Sequence, residues 1–223
     1  MKKTAVIFGS TGLIGKNLLF QLIDDERYSK IFVFNRKHLN INISKVEEII
    51  VTDFENIDEF TFKQTPDEIY CCIGTTINKA KTKTAFTFVD YQIPVKIAKL
   101  AENKNISKLL IVSSIGANEK SNNFYLQTKG KMEQAVVKFS IESVHFFRPS
   151  MLLGKRNETR IAEGIGQIFM KIFGFLLIGK IKKYKAIKAE TVAKAMINVA
   201  NLNTGLNTKK DFIESDKIFE LAK

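Results

Sequence analysis

The chain has 223 residues, 45% of them hydrophobic, which is enough to bury a full core as one large domain. Its formal charge of +12 comes from 35 basic and 23 acidic residues that are interspersed rather than separated into blocks, so a basic surface around a small anionic ligand is the simpler reading and no nucleic-acid partner is expected. The longest uncharged apolar run, Ile172 to Gly179, is too short to span a bilayer, and Cys71 and Cys72, the only cysteines, are adjacent in an apolar run with neither disulfide nor metal-ligand spacing.

The first apolar run, Ala5 to Phe8, reads as a strand and ends in Gly9-Ser10-Thr11-Gly12-Leu13-Ile14-Gly15, after which Leu13, Leu18, Leu19, Leu22 and Ile23 recur with helical period. Strand, glycine loop and helix in this order are the opening of a dinucleotide-binding βαβ unit. Gly9 allows the turn, Gly12 lets backbone approach a pyrophosphate, Gly15 lets the helix lie close to the strand, and the helix N-terminus supplies amides and a positive dipole end. A second strand, Ile31 to Phe34, ends in Asn35-Arg36-Lys37. An acid at that tip would bind a ribose 2'-hydroxyl. Arg36 and Lys37 suit a 2'-phosphate instead, which favours NADP(H) over NAD(H).

A third strand near Glu48 to Val51 leads to Asp53 and Phe54, neighbours of the adenine in such folds, although Phe54 equally fits a core anchor. Pro66 and Asp67 open a fourth strand, Glu68 to Cys72, which delivers Ile73, Gly74, Thr75 and Thr76 to the edge where ligands sit. Lys79 to Thr87 reads as a lysine-rich loop, and Phe88 to Asn103 as a long helix with a kink or boundary at Pro94. A fifth strand, Leu109 to Val112, is followed by Ser113 and Ser114, and eleven residues past Ser114 comes Tyr125 with Lys129 four residues further on. A sixth strand, Ser143 to Phe147, runs into Arg148-Pro149-Ser150. Beyond it lie a basic loop with Arg156 and Arg160, an apolar helix from Ile165 to Phe173, a helix from Glu190 to Asn201 and an amphipathic tail around Ile213 to Leu221. The alternation of strand and helix predicts an α/β, doubly wound parallel sheet.

Tyr125 and Lys129 share a helix face, and a cation beside a phenol favours the phenolate, as an acid/base catalyst requires. A serine hydroxyl at the same sheet edge can hydrogen-bond a substrate oxygen; Ser114 is the first choice and Ser113 an equally good hydroxyl. Together they fit proton transfer coupled to hydride transfer at a nicotinamide, acting on a small carbonyl or alcohol substrate. His38 and His145 have no companions at ligand spacing, so no metal is expected. The stretch Phe169 to Lys183 mixes apolar bulk with lysines, as either a core-packed helix with a basic exit or a segment touching an anionic membrane surface.

These residues, with Cys71-Cys72-Ile73-Gly74-Thr75-Thr76, Asn123 to Gly130 and Phe147 to Leu153, resemble the atypical short-chain dehydrogenases/reductases, and within them the Tat-interacting-protein type of oxidoreductase. The resemblance covers most of residues 4 to 160. It implies a single Rossmann domain over residues 1–223, with roughly 150–223 on the substrate side, and NADPH held by the glycine loop, Arg36, Ile73 and Gly74. It further implies Tyr125 as proton donor and acceptor, Lys129 as its partner, and Leu152 and Arg160 along the nicotinamide half or its phosphates. The strand-two tip departs from the family pattern by reading Asn35-Arg36-Lys37 in place of two arginines. Some family members are regulators, so a protein that senses NADPH without turnover is the alternative. The two buried-looking cysteines, and an N-terminal apolar run that stops at the glycine loop without a cleavage site, lead to the expectation of a cytosolic protein.

Overall fold

The apolar runs become the strands β1 (Lys3–Phe8), β2 (Tyr28–Asn35), β3 (Val46–Ile50), β4 (Glu68–Cys71), β5 (Lys108–Val112) and β6 (Ser143–Arg148). The structure, a computed structural model, describes residues 2–39, 41–153, 185–202 and 210–223. The segment read as an amphipathic tail supplies a further strand, β9 (Lys210–Glu214), followed by the helix α7 (Ser215–Leu221). All seven strands are parallel in the order β3-β2-β1-β4-β5-β6-β9, and β7 (Leu152–Leu153) with β8 (Ile187–Lys188) forms a separate two-stranded pair. The order reverses between β1 and β4, the position at which an open α/β sheet leaves a crevice at its carboxyl edge.

Alternate residues of the strands feed two apolar layers, as period-2 geometry requires. Ala5, Ile7, Val33, Leu110 and Phe147 face the helices α1 (Leu13–Asp24) and α6 (Ala189–Asn201), where Leu18, Leu22, Val192 and Met196 meet them. Val6, Phe8, Ile69, Cys71 and Ile111 face α4 (Ile93–Asn103) and α5 (Phe124–Val136), through Ile97 and Met132. The stretch Lys79 to Thr87, expected as a loop, instead holds the end of the short helix α2 (Ile77–Ala80) and all of α3 (Lys83–Thr87). Thr76 and Thr82 cap them by accepting hydrogen bonds from the amides of Lys79 and Ala85. The long helix expected from Phe88 divides into a π-turn over Phe88–Gln92 and α4, with Pro94 at the start of the regular part, where its missing N–H costs no helical bond. Arg156, Arg160, the helix expected over 165–173 and the basic apolar stretch 169–183 lie outside the described residues.

The amino edge of the sheet is closed by a buried polar cluster. The Tyr28 hydroxyl donates to Glu68 Oε1, the Tyr70 hydroxyl to the same oxygen at 2.5 Å, and Lys3 Nζ to Oε2 at 3.2 Å. Burial, with the adjacent carboxylate, pushes both phenols well above their ordinary range, so they stay protonated and donate.

The turn that joins β1 to α1 is set by two glycines. Gly9 sits at φ +86°, in the left-handed region, and a Cβ on Gly15 would stand 2.2 Å from the Gly9 carbonyl oxygen. A Gly15→Ala variant is expected to lose about 2 kcal/mol of stability by overpacking, read as a lower urea midpoint with an unchanged slope.

Candidate active site

Gly12 is the N-cap of α1 in an extended conformation, and no side chain caps that helix. The first amides of α1 therefore lack intrahelical partners and carry the positive end of the dipole at the carboxyl edge of the sheet. The loop lies directly on the backbone after β4: a Cβ on Gly9 would stand 2.8 Å from the Cys72 carbonyl and 2.9 Å from the Ile73 nitrogen. Ser10, buried, donates its hydroxyl to Asn35 Oδ1 at 2.7 Å, which ties the loop to the tip of β2. The Asn35 amide nitrogen is buried without a partner. Arg36 and Lys37 follow it, exposed, and Thr11 is exposed at the turn. Leu13 and Ile14 turn their side chains into the core and offer the site only backbone.

Asn123 caps α5 by accepting from the Leu126 amide at 3.2 Å, so Tyr125 and Lys129 lie one turn apart on a regular helix. Gly130 lets the loop after β5 press against this helix: a Cβ there would stand 2.2 Å from the Asn118 carbonyl carbon and the Glu119 nitrogen. The Tyr125 ring is partly exposed and packs against the fully buried Phe86, centroids 5.7 Å apart. Lys129 is 3% exposed and its Nζ stands 2.7 Å from Oδ1 of Asp90, which is 0% exposed. The other Asp90 oxygen accepts from the Thr75 amide at 2.8 Å, and the Cβ position of Gly74 falls 3.4 Å from Asp90 Oδ1 and 3.7 Å from Lys129 Nζ. Burial alone would push the Lys129 ammonium down; the Asp90 carboxylate, with Tyr125 and Cys71, more than offsets it and the net shift is upward.

The glycine loop thus rests on the Cys72–Ile73 backbone, Gly74 lies beside Lys129 one helical turn from Tyr125, and Arg36 and Lys37 follow Asn35, which Ser10 ties to the loop. Asp53 is exposed and accepts from the Glu55 amide at 2.8 Å, while Phe54 is buried against Phe8 as a core anchor. Leu152 pairs with Ile187 and packs into the α1/α6 layer. The strand alternation that places Ile111 in the α4/α5 layer carries Ser113 to that same face, where its hydroxyl is buried without a partner. Ser114, equally buried, donates to the Ile115 carbonyl at 3.3 Å. Both cysteines are thiols of the core; burial pushes Cys71 up to about 11. Arg148, from the Arg148-Pro149-Ser150 stretch, grips Glu133 on α5 through Nε at 2.9 Å and Nη2 at 2.5 Å, and Glu214 on β9 through Nη1 at 3.0 Å.

Asp90 is the residue that the sequence reading missed. The signal was present: Phe86, Asp90, Ile93, Ile97 and Ala101 fall on one helical stripe, so a carboxylate sits where an apolar side chain belongs and demands a buried partner.

Glycine loop, uncapped helix start and switch-point crevice define an NAD(P)-binding Rossmann fold. Residues 5–172 match the NAD dependent epimerase/dehydratase family, and the chain belongs to it, on its atypical short-chain dehydrogenase/reductase side. The chain is 32% identical to Protein HTATIP2 of Rattus norvegicus, the match covering 99% of this chain and 90% of that protein. It is 31% identical to the mitochondrial Protein FMP52 of Debaryomyces hansenii over 89% of this chain and 88% of that one. Among solved structures, the Bordetella bronchiseptica enzyme WbmH in complex with NAD+ superposes with a TM-score of 0.70 at 12% identity, covering 96% of this chain and 75% of that chain. A UDP-N-acetylglucosamine 4-epimerase from Methanobrevibacter ruminantium gives 0.66 at 18% identity, covering 96% and 76%. These two show the shared fold. The FMP52 relatives, named mitochondrial, overturn the expectation of a cytosolic protein; buried thiols and the composition of an N-terminal strand do not report a compartment.

Because Glu133 lies one turn beyond Lys129, its grip on Arg148 fixes the helix that carries the site. Glu133→Gln is expected to lose about 3 kcal/mol of stability, since it leaves the guanidinium half-paired in the interior, and a urea titration followed by circular dichroism checks it.

Proposed function

We propose that the protein is an NADP(H)-dependent oxidoreductase acting on a small carbonyl or alcohol substrate. The observation that carries this reading is the seating of Lys129, a buried cation beside Gly74 and one helical turn from Tyr125. The cradle fits a dinucleotide. It has an uncapped helix start for the pyrophosphate, a glycine turn lying on the Cys72–Ile73 backbone, and a buried donor on Asn35 at the ribose end. When bound, the nicotinamide supplies or accepts a hydride. Tyr125 gives its phenolic proton to the substrate oxygen in reduction and takes it back in oxidation. The Lys129 ammonium stabilises the negative charge that builds on that phenol, and its remaining N–H groups reach for ribose hydroxyls. Ser114 or Ser113 orients the substrate oxygen; the unpartnered hydroxyl of Ser113, on the α4/α5 side, supports Ser113. Phe86 backs the Tyr125 ring and limits its rotation.

The preference for NADP(H) rests on Arg36 and Lys37. Both are exposed, and among the described residues neither makes an ion pair, which leaves a guanidinium fork and an ammonium free for a 2'-phosphate. NADPH is expected to raise the melting temperature more than NADH at equal concentration, and Arg36→Ala to abolish that difference. Equal shifts in the unaltered protein would remove the 2'-phosphate argument. A panel of aldehydes and ketones, with NADPH consumption as the readout, identifies the substrate class. On the substrate so found, Tyr125→Phe is expected to lower the rate by about a hundredfold or more while NADPH still binds. An unchanged rate would overturn the assigned proton transfer, and NADPH binding with no turnover on any substrate would favour a sensor.

A further inference from the structure

Among the described residues three carboxylates are exposed by 1% or less: Glu68, Asp90 and Glu133. Glu68 closes the amino edge of the sheet with Tyr28, Tyr70 and Lys3, and Glu133 holds Arg148. Asp90 differs in that both of its oxygens serve the carboxyl edge. One stands 2.7 Å from Lys129 Nζ and the other accepts from Thr75 N at 2.8 Å, on the loop that follows Gly74. It sits in the middle of the π-turn Phe88–Gln92, the irregular turn ahead of α4. Single π-turns inside helices are rare and concentrate at functional sites.

We propose that Asp90 is a positioning residue that keeps Lys129 charged and aimed, and that locks the Thr75 loop to the same carboxylate. This rests on the reading of Lys129 as a cofactor-holding group. Lys129 is enclosed by the π-turn, by its own helix α5 and by β4, and the titratable groups that face it are Asp90, Tyr125 and Cys71. Burial keeps Cys71 a protonated thiol, and Asp90 is the carboxylate that stands 2.7 Å from Lys129 Nζ. Without that charge, burial, which pushes the ammonium down, loses its main counterweight. A neutral Lys129 stabilises no phenolate and is a poorer donor to ribose hydroxyls. The carboxylate also occupies just one of the three ammonium donors, which leaves two for ligand.

The test uses Asp90→Asn, which keeps an oxygen for the Thr75 amide and removes only the charge. Lysine side-chain NMR, with Lys129→Arg to assign the signal, follows Lys129 directly without cofactor or substrate. In the unaltered protein Lys129 is expected to stay protonated through about pH 10, whereas in Asp90→Asn its midpoint falls to about pH 8 or below. NADPH affinity, flat in the unaltered protein from about pH 7 to 9, is expected to weaken by about tenfold across that range in the variant. Stability gives an independent sign. A cation whose pKa is depressed in the folded state destabilises it at low pH, so Asp90→Asn gains stability relative to the unaltered protein as pH rises from neutral. A folded Asp90→Asn with an unshifted Lys129 midpoint overturns the proposal. If that variant does not fold, a Lys129 that titrates at or below the ordinary lysine range in the unaltered protein overturns it just as well. If the Lys129 midpoint falls while NADPH binds neither protein, Asp90 keeps its role and the cofactor reading fails.

Discussion

The fold depends most on the absence of two carbon atoms. With a Cβ on Gly15, α1 could not lie against the Gly9 carbonyl, and with one on Gly9, the turn could not rest on the Cys72–Ile73 backbone. Those two contacts set where the helix begins, and hence where its unpaired amides point. They also bring Ser10 within reach of Asn35, so that the first turn and the tip of the second strand become one rigid unit. Close-packed interiors transmit such constraints because they have no slack to absorb them. The positions of Ile73, Gly74 and, through Asp90, Lys129 follow from the same contact.

The two edges of the sheet handle polarity in opposite ways. At the amino edge every oxygen of Glu68 is engaged by Tyr28, Tyr70 or Lys3. At the carboxyl edge polar groups are left short of partners: the Asn35 amide nitrogen, the Ser113 hydroxyl and the start of α1. Unpaired buried donors cost folding free energy, on the order of 1–3 kcal/mol each. Two such atoms, Asn35 Nδ2 and Ser113 Oγ, lie at the carboxyl edge, and a further one, His145 Nδ1, lies in mid-sheet on β6.

Much of this was legible in the sequence, for identifiable reasons. Strands β1, β2, β4 and β5 announce themselves as apolar runs because both of their faces are covered, whereas the edge strand β3 carries two glutamates and buries no residue. The helix carrying Tyr125 and Lys129 has its cap, Asn123, written beside it. Strand β9 was not legible, because an edge strand of five residues with Phe212 and Ile213 between charged neighbours shows too short an alternation to separate from a helix start. The helices α2 and α3 were hidden by their lysines, although Thr76 and Thr82 are ordinary caps. Asp90 is hidden because it interrupts an apolar stripe, Phe86, Ile93, Ile97 and Ala101, that reads as helical without it. Asp53, read as a neighbour of the adenine, is exposed, and one of its oxygens accepts from the Glu55 amide.

The fork made by Arg148 has a bearing on how the molecule comes into being. One guanidinium joins β6 to Glu133 on α5 and to Glu214 on β9, residues that are 81 positions apart in the chain (214 − 133). The helix bearing Tyr125 and Lys129 is therefore held on one side by the last of the seven sheet strands in chain order. The amino-terminal βαβ units can close around their glycine turn while synthesis continues, but α5 gains its full set of restraints only after residue 214 has emerged. Until then the helix that carries Tyr125 and Lys129 lacks the tie that Arg148 makes to Glu214.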